Sequence, residues 1–527
     1  MPFMQSKDLR MRAGLISTLL GLLVIVRVSA APDETPLVDA ARRGDTAAVR
    51  ALLQRHVDAN QALPDGTTAL HWAARRDDLD QIRLLIRAGA DVKRANRYGM
   101  TPLLSACETG SVLTIEALLE AGADPGAALP EGETPLMLAA RSGKADVVRL
   151  LTLRGAKVDS REGWHGQTAL MWAAAEGHPA VIRTLAEVGG DLDARTAGGF
   201  TPLLFAARAG KLEAVEALLE LGANVNDALH PTTTAAPPRM PAGGNNADPN
   251  GVVALTPSGN GEGTSALILA ITNKHWRMAR LLVERGADPL DGRAGWTALH
   301  ELAYIRRPNT GKGLPPQEDV EHADTLELAR LLVEHGADMN ARQTKERRDG
   351  SRNELNRVGA TPFLLAAKHA DIPFMRFLAA HGADPTITTA RHTTALMAAA
   401  GVGVFNVGES AGTNEEALDA TRLAFELGSG DVNAVDDLGW TALHGAAKRG
   451  SNEIVQFLID HGSGFGDKTK VEGWTPLRIA DGVFVGGTIK RADATAALIR
   501  SLMRARGIEP PEKVVNDVAE VSKPAKP

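Results

Sequence analysis

The stretch NRYGMTPLLSACETGSVLTIEALLEAGA, residues 96–123, contains one whole folding unit. Asn96-Arg97-Tyr98-Gly99 is a turn signal, with Gly99 free to take a positive φ. Thr101-Pro102 opens a helix, because threonine caps well and proline fits the first helical turn. That helix is short and lined by Leu103, Leu104, Ala106 and Cys107, and Gly110 ends it. A second helix carries Ile115, Leu118 and Leu119 at helical spacing and closes at Gly122. Neither helix alone can bury its apolar face.

The same order recurs along the chain. The opening Thr-(Pro/Ala)-Leu returns at Thr35, Thr68, Thr101, Thr134, Thr168 and Thr201, every 33 or 34 residues, and resumes at Ser265, Thr297, Thr361, Thr394, Thr441 and Thr475. Gly-Ala closes many second helices, at 89–90, 155–156, 222–223, 286–287, 336–337 and 382–383. Self-similarity at this period predicts an all-α repeat solenoid of about twelve units, each burying its face against its neighbours. The ends should differ as caps. Unit one carries Asp39, Arg42 and Arg43 and closes with His56-Val57, and unit twelve ends at Met503-Arg504-Ala505-Arg506 before a polar tail. A solenoid offers a long surface rather than a closed pocket, so binding is the expected mode of action.

The pattern resembles the ankyrin repeat, a β-turn finger followed by a helix-turn-helix. Thr68-Ala69-Leu70-His71, Thr297-Ala298-Leu299-His300 and Thr441-Ala442-Leu443-His444 are similar to the family's T-P-L-H tetrapeptide. Gly89-Ala90-Asp91-Val92 and Gly222-Ala223-Asn224-Val225-Asn226 are similar to its G-A-D-V-N close. The resemblance covers about residues 33–507. It implies that the tetrapeptide histidine bonds to a neighbouring finger. Nine units carry Val38, Leu104, Met137, Met171, Leu204, Ile268, Leu364, Met397 or Arg478 there, so apolar packing is expected at those joints. The stretches 166–178, 359–368 and 395–403 also resemble long exported bacterial ankyrin-repeat proteins, which implies a compartment rather than an activity.

The N-terminus predicts export. Lys7, Arg10 and Arg12 precede an apolar run from Ala13 to Val26, and Val28-Ser29-Ala30 is a small-residue cleavage site. The run is shorter than the ~20 residues a membrane span needs, so residues 1–30 read as a signal peptide and the mature chain as periplasmic or secreted, with no membrane insertion after cleavage. The leader carries a net +3 and the whole chain −6, leaving the mature chain near −9. That excludes general nucleic-acid binding, which needs basic surface to displace counterions. The one cysteine, Cys107, cannot form an intrachain disulfide and sits on an apolar face, so it reads as core. A monomer is expected.

Five departures break the period. The first, 227–262, is rich in Pro, Gly, Asn and Thr and reads as a disordered insertion and a candidate hinge between units one to six (31–226) and seven to twelve (263–507). Insertions near 306–324, 401–414 and 481–491 fall between the two helices of a unit, where they read as turns making a second surface opposite the fingers. The insertion at 342–359 enlarges a finger. Its Arg342, Lys345, Arg347, Arg348, Arg352 and Arg357 outnumber Glu346, Asp349 and Glu354, so it reads as a solvated loop or a site for an acidic partner. The tail 508–527 reads as disordered.

Chemical motifs are weak. Gly408-Glu409-Ser410-Ala411-Gly412 matches the hydrolase elbow, with His444 and His461 downstream, but an elbow needs a sheet that these helices cannot build. His300-Glu301-Leu302-Ala303-Tyr304 lacks the second histidine of a zinc helix, and Gly464-Phe465-Gly466-Asp467-Lys468-Thr469 lacks the phosphate-loop spacing. No cofactor, no metal and no enzyme activity are expected.

The resemblance places partners along the concave face of finger tips and first helices. Aromatic residues fall beside the finger glycine at Tyr98, Trp164, Phe200, Trp296, Trp440 and Trp474. Such rings either supply interface hot spots or pack on the next finger. Trp72 and Trp172, on first helices, read mainly as packing. Arg75, Arg76, Arg141, Arg208 and Lys448-Arg449 end first helices and read either as favouring an acidic or carboxylate-bearing ligand or as solvated charge. The reading is an exported scaffold for a partner protein, with a cell-wall or carbohydrate-binding solenoid as the alternative and a serine hydrolase at Ser410 as a remote one.

Overall fold

The computed structural model describes residues 35–109, 111–230, 261–307, 322–347, 355–404, 412–485 and 488–513. The expected leader at 1–30, most of the 227–262 insertion, residues 308–321, 348–354 and 405–411 with Ser410, Arg348 and Arg352, and the tail beyond 513 lie outside the described residues.

Helices form wherever the repeated threonine can cap one. Thr134 Oγ1 accepts from the Met137 amide at 3.3 Å, and Thr361 does the same for Leu364 at 3.3 Å. Each such first helix is followed by a second, giving twelve pairs among the described residues, from Pro36–Arg43 with Thr46–Gln54 to Pro476–Asp481 with Asp493–Ala505. Left-handed glycines end several first helices, such as Gly177 at φ 84°. In unit one, His56 at φ 58° takes the place of the closing glycine.

First helices are built from alanines such as Ala73, Ala74, Ala139, Ala140, Ala206 and Ala207, all buried, and they lie close along one another. Second helices meet through larger side chains, such as Ile82, Leu85, Val148 and Leu151, and stand further apart. The unequal spacing bends the stack, with first helices and fingers on the inside of the curve. One continuous hydrophobic cluster runs from Leu37 to Met503. A fully buried leucine stabilises by roughly 2 kcal/mol, so each joint rests on several kcal/mol of burial that a lone unit lacks.

Polar joints repeat at the edges. Asn60 clamps the next unit, donating to Gly89 O at 3.0 Å and accepting from Asp91 N at 2.8 Å. Asn340 and Asn433 repeat the clamp between units eight and nine and between units ten and eleven. Fingers join laterally through Arg97 N to Asp65 O (2.8 Å), Ala390 N to Val358 O (2.7 Å) and Lys470 N to Leu438 O (2.8 Å). His71 and His444 accept from their own threonine amide at Nδ1 and bond through Nε2 to Met100 O and Trp474 O in the following finger. His300 does so with Ala360 O at 3.0 Å. Where histidine is missing, Met171 and Met397 offer sulfur to the same amide, and apolar residues from Val38 to Leu364 fill the joint.

Across the first insertion the stack continues. Asn226 clamps Gly286 O and Asp288 N, and His275 Nε2 bonds to Arg208 O at 3.1 Å. Leu229 and the 263–264 segment exchange backbone hydrogen bonds that close the base of the insertion. Units six and seven therefore meet as ordinary neighbours rather than across a hinge.

Two insertions differ from their expectation. In unit twelve, Val483–Val485 pairs antiparallel with Thr488–Lys490 as a small hairpin between the two helices of the unit. In unit ten, Gly401–Val404 does not lie opposite the fingers. It crosses the first helix of unit eleven so closely that a Cβ on Gly445 would meet Val402 N at 2.5 Å, and it touches Leu355 of the finger insertion. Val402 and Val404 are buried there. Among the described residues no helix is long and apolar enough to cross a membrane.

Candidate functional site: the first-helix groove

Seven residues after the repeated threonine, the first helix turns a side chain toward the inside of the curve. In units two, three, four and six these are Arg75, Glu108, Arg141 and Arg208, all exposed or half-exposed. In units eight, eleven and twelve the equivalents are Tyr304, Lys448 and Gly482, all buried. The groove is open over units two to six and closed over much of units eight to twelve.

The chain's own insertions close it. Arg347, from the enlarged finger, reaches back over unit eight and pairs with Glu301 at 2.8 Å. Its guanidinium stands 5.6 Å from the Trp296 ring and 4.6 Å from Tyr304. Glu301 is fully buried and also accepts from Thr272 Oγ1 at 2.8 Å. Arg357 pairs with Glu346 at 2.6 Å, Arg342 donates to Gly359 O and Thr388 O, and Lys345 donates to Arg293 O. The described cations of the insertion are engaged within the chain, Arg347 and Arg357 in ion pairs and the exposed Arg342 and Lys345 on backbone carbonyls. Behind it, Arg306 pairs with Asp371 at 2.7 Å with both side chains about 1% exposed. Arg307 spans unit nine to reach Glu416 at 2.5 Å.

Unit eleven is closed in the same way. Arg449 donates to Asn414 Oδ1, Gly412 O and Thr413 O, and burial lowers its pKa to about 10. Lys448 is buried with its ammonium 5.2 Å from the Trp440 ring. Neither can face a ligand, contrary to the expectation from their place at a helix end.

The six finger aromatics fall into two classes. Phe200, Trp296, Trp440 and Trp474 follow a positive-φ glycine (Gly199, Gly295, Gly439, Gly473) and turn inward. Trp296 is only 7% exposed and packs on Ile268 and Ala294. Trp440 and Trp474 are half-buried against the core, and Phe200 packs on Phe205 at 5.1 Å. Tyr98 and Trp164 precede the positive-φ glycine and stand at the finger tips, 57% and 49% exposed. Trp164 follows Gly163, but the glycine that turns this longer finger is Gly166. Buried Glu162 holds the finger by accepting from the Trp164, His165 and Gln167 amides. A Trp-lined rim for carbohydrate is not formed, since Trp164 is the one strongly exposed tryptophan.

The arginines expected in the groove also separate. Arg76 lies across the turn of unit one, where a Cβ on Gly44 would meet its Nη2 at 2.6 Å, so it belongs to the turn edge. Arg75, Arg141 and Arg208 lie over rings: Arg75 is 5.8 Å from Trp72, Arg141 5.1 Å from Trp172, and Arg208 4.9 Å from Phe200 and 5.2 Å from Phe205. Trp72 and Trp172 are packing residues, as expected, and also platforms for cations. Sequence reasoning missed Phe205 and Glu108, which pairs with Arg141 at 3.5 Å. The seven-residue offset from the threonine was the signal that would have found Glu108.

Among the described residues no cluster of His, Cys, Asp and Glu is arranged to hold a metal. His444 is committed to its finger, and His461 bonds to Phe457 O and packs on Phe425 and Phe457. Burial raises the Cys107 thiol far above its ordinary range, which leaves it inert.

Two family models agree with this architecture. A family model described as ankyrin repeats (3 copies) matches residues 16–96, 37–129, 93–162, 136–228 and 411–481, and one described as ankyrin repeat matches 262–292 and 294–343. Unit nine and the first helix of unit ten, flanked by insertions, fall outside these matches although their helices are present. No curated protein sequence matches the chain. Among solved structures, the human ASB11 ankyrin repeat domain is 27% identical, covering 37% of this chain and 87% of that one, with a TM-score of 0.34.

Proposed function

Because the chain is a member of the ankyrin-repeat family, whose repeats are generally protein–protein interaction modules, we propose that it is an exported scaffold taking a partner protein along the groove of units two to six. The observation that supports this is the contrast along the groove. Last-turn side chains of the first helices are accessible in units two to six and covered in units eight and eleven. Among the described residues, last-turn cations lying over rings are accessible in units two, four and six. The second half is a rigid extension, held by buried ion pairs. Export rests on the charged, apolar and small-residue regions of residues 1–30.

The test is cross-linking capture from the native envelope and secreted fraction with residues 31–527 as bait. A second bait carries Arg75→Glu, Arg141→Glu and Arg208→Glu, which change accessible side chains at a cost of about 1 kcal/mol or less each and leave the buried core untouched, so it should remain folded. A protein cross-linked to units two to six of the first bait and lost from the folded second bait is the expected result. Equal capture by both, or cross-links confined to units eight to twelve, would refute the groove assignment. Recovery of the mature protein with Ala31 at its N-terminus checks the export reading.

A further inference from the structure

Unit eight places an anion where units two and five place rings. Four residues after the repeated threonine, at the position of Trp72 and Trp172, it carries Glu301. Seven residues after the threonine stands Tyr304, and one residue before it Trp296. These three belong to the repeat framework. Together they surround one cation, Arg347, which comes from the finger insertion.

Arg347 Nη1 donates to Glu301 Oε2 at 2.8 Å. Its guanidinium carbon lies 4.6 Å from the centre of the Tyr304 ring and 5.6 Å from that of Trp296. Each wall of this cage is held by something other than Arg347. Thr272 Oγ1 bonds to Glu301 Oε1 at 2.8 Å, which leaves Oε2 for the cation. The Tyr304 hydroxyl donates to Gln343 Oε1 at 2.6 Å, and Trp296 packs on Ile268 and Ala294. A fixed carboxylate between two ring faces is the chemistry that selects a planar cation. We propose that Trp296, Glu301 and Tyr304 form a recognition site for the guanidinium of an arginine-bearing peptide, and that Arg347 occupies this site in cis.

Arg347 differs from a sealed brace in two ways. It is the outermost member, with its side chain 14% exposed against 1% for Glu301, so its withdrawal opens the cage to solvent. The filled cage is also incompletely satisfied, because the Trp296 indole N–H stays buried without an acceptor. Arg306, by contrast, sits on Phe374 and Asp371 with both charges about 1% exposed, and its partners belong to the repeat framework. Arg357 also lies 5.4 Å from the Tyr304 ring, but its ion pair is with Glu346. A tethered side chain competes at an effective concentration on the order of millimolar, so a free ligand reaches the cage readily only once Arg347 is removed.

Fluorine NMR of residues 31–527 labelled with fluorotryptophan tests this, with the Trp296 signal assigned by Trp296→Phe. The probes are N-acetylarginine methylamide and its citrulline analogue, which has the same length and no charge. In Arg347→Ala the Trp296 signal should shift saturably with the arginine probe, with a dissociation constant at least about tenfold lower than in the parent. The citrulline probe should give no saturable shift, and adding Glu301→Gln should abolish the response to arginine. Arg347→Lys keeps a cation beside the buried carboxylate, so it carries the comparison if Arg347→Ala does not fold, and it should bind the arginine probe with intermediate affinity. The assignment is overturned by the absence of a saturable shift in both variants, an equal response to citrulline, an affinity no better than the parent's, or a response that survives Glu301→Gln. None of these results depends on the groove of units two to six, which the capture experiment judges separately.

Discussion

A single histidine shows how burial at a joint becomes a dependence on pH. His300 is fully buried, its Nδ1 accepts from the Thr297 amide, and its Nε2 donates to Ala360 O. Only the neutral ring satisfies both bonds. Loss of hydration lowers its pKa from 6.5 to about 4, and burial lowers His71 and His444 as well. The unfolded chain therefore binds protons first as pH falls. The joint's full contribution is present above about pH 6.5 and declines toward pH 4. For His300 the drop from 6.5 to about 4 corresponds to at most on the order of 3 kcal/mol. Urea unfolding at pH 7 and pH 4.5 should show His300→Leu losing less stability on acidification than the parent. An equal loss would mean that this ring is not held neutral.

At the scale of helices and insertions, two kinds of ion pair do different work. Arg306 joins Asp371 and Thr325, fastening unit eight to unit nine in a place closed to water. Asp371 also caps the next helix through the Phe374 amide at 3.1 Å. Removing the cation strands a buried carboxylate, so Arg306→Met should cost about 3–5 kcal/mol in denaturant unfolding. Arg149→Ala breaks an exposed pair and should cost less than about 1 kcal/mol. Similar losses would contradict the view that units eight to ten are internally braced.

These elements also separate what the sequence discloses from what it hides. Threonine, glycine and apolar spacing are local rules, and they placed the helix pairs, Cys107 in the core and the histidine joints. The groove was legible only in part. Arg75, Arg141 and Arg208 were found by position, but Trp164 was grouped with Trp296 because each follows a glycine. One extra residue in the finger put Trp164 at the tip instead. The closed half was not legible, because it depends on contacts such as Arg347–Glu301 and Arg307–Glu416 between residues far apart in the chain. No period announces such pairs.

Over the whole molecule, twelve units behave as one stack with an uneven inner surface. Among the described residues, continuity at the middle rests on Asn226, Leu229 and Gly263. Replacing 231–260 by Gly-Gly should preserve that joint. Shortening a loop about tenfold lowers its closure entropy cost, so stability should rise by up to about 2 kcal/mol. Calorimetry should still show coupled unfolding of the two sets of units. A new, separate transition would mean that the excised stretch holds them together.

The contrast between open and closed groove is the claim on which the functional account rests, and thiol labelling measures it without a partner. Native Cys107 is buried and should contribute no background. Single cysteines at Arg75→Cys, Arg141→Cys and Arg208→Cys would be compared with Ala398→Cys and Lys448→Cys, using maleimide under native conditions. Rapid labelling is expected at the first three, and labelling slower by orders of magnitude at the last two, where modification requires local opening. Comparable rates at all five would contradict it, because the groove would then be open along its whole length.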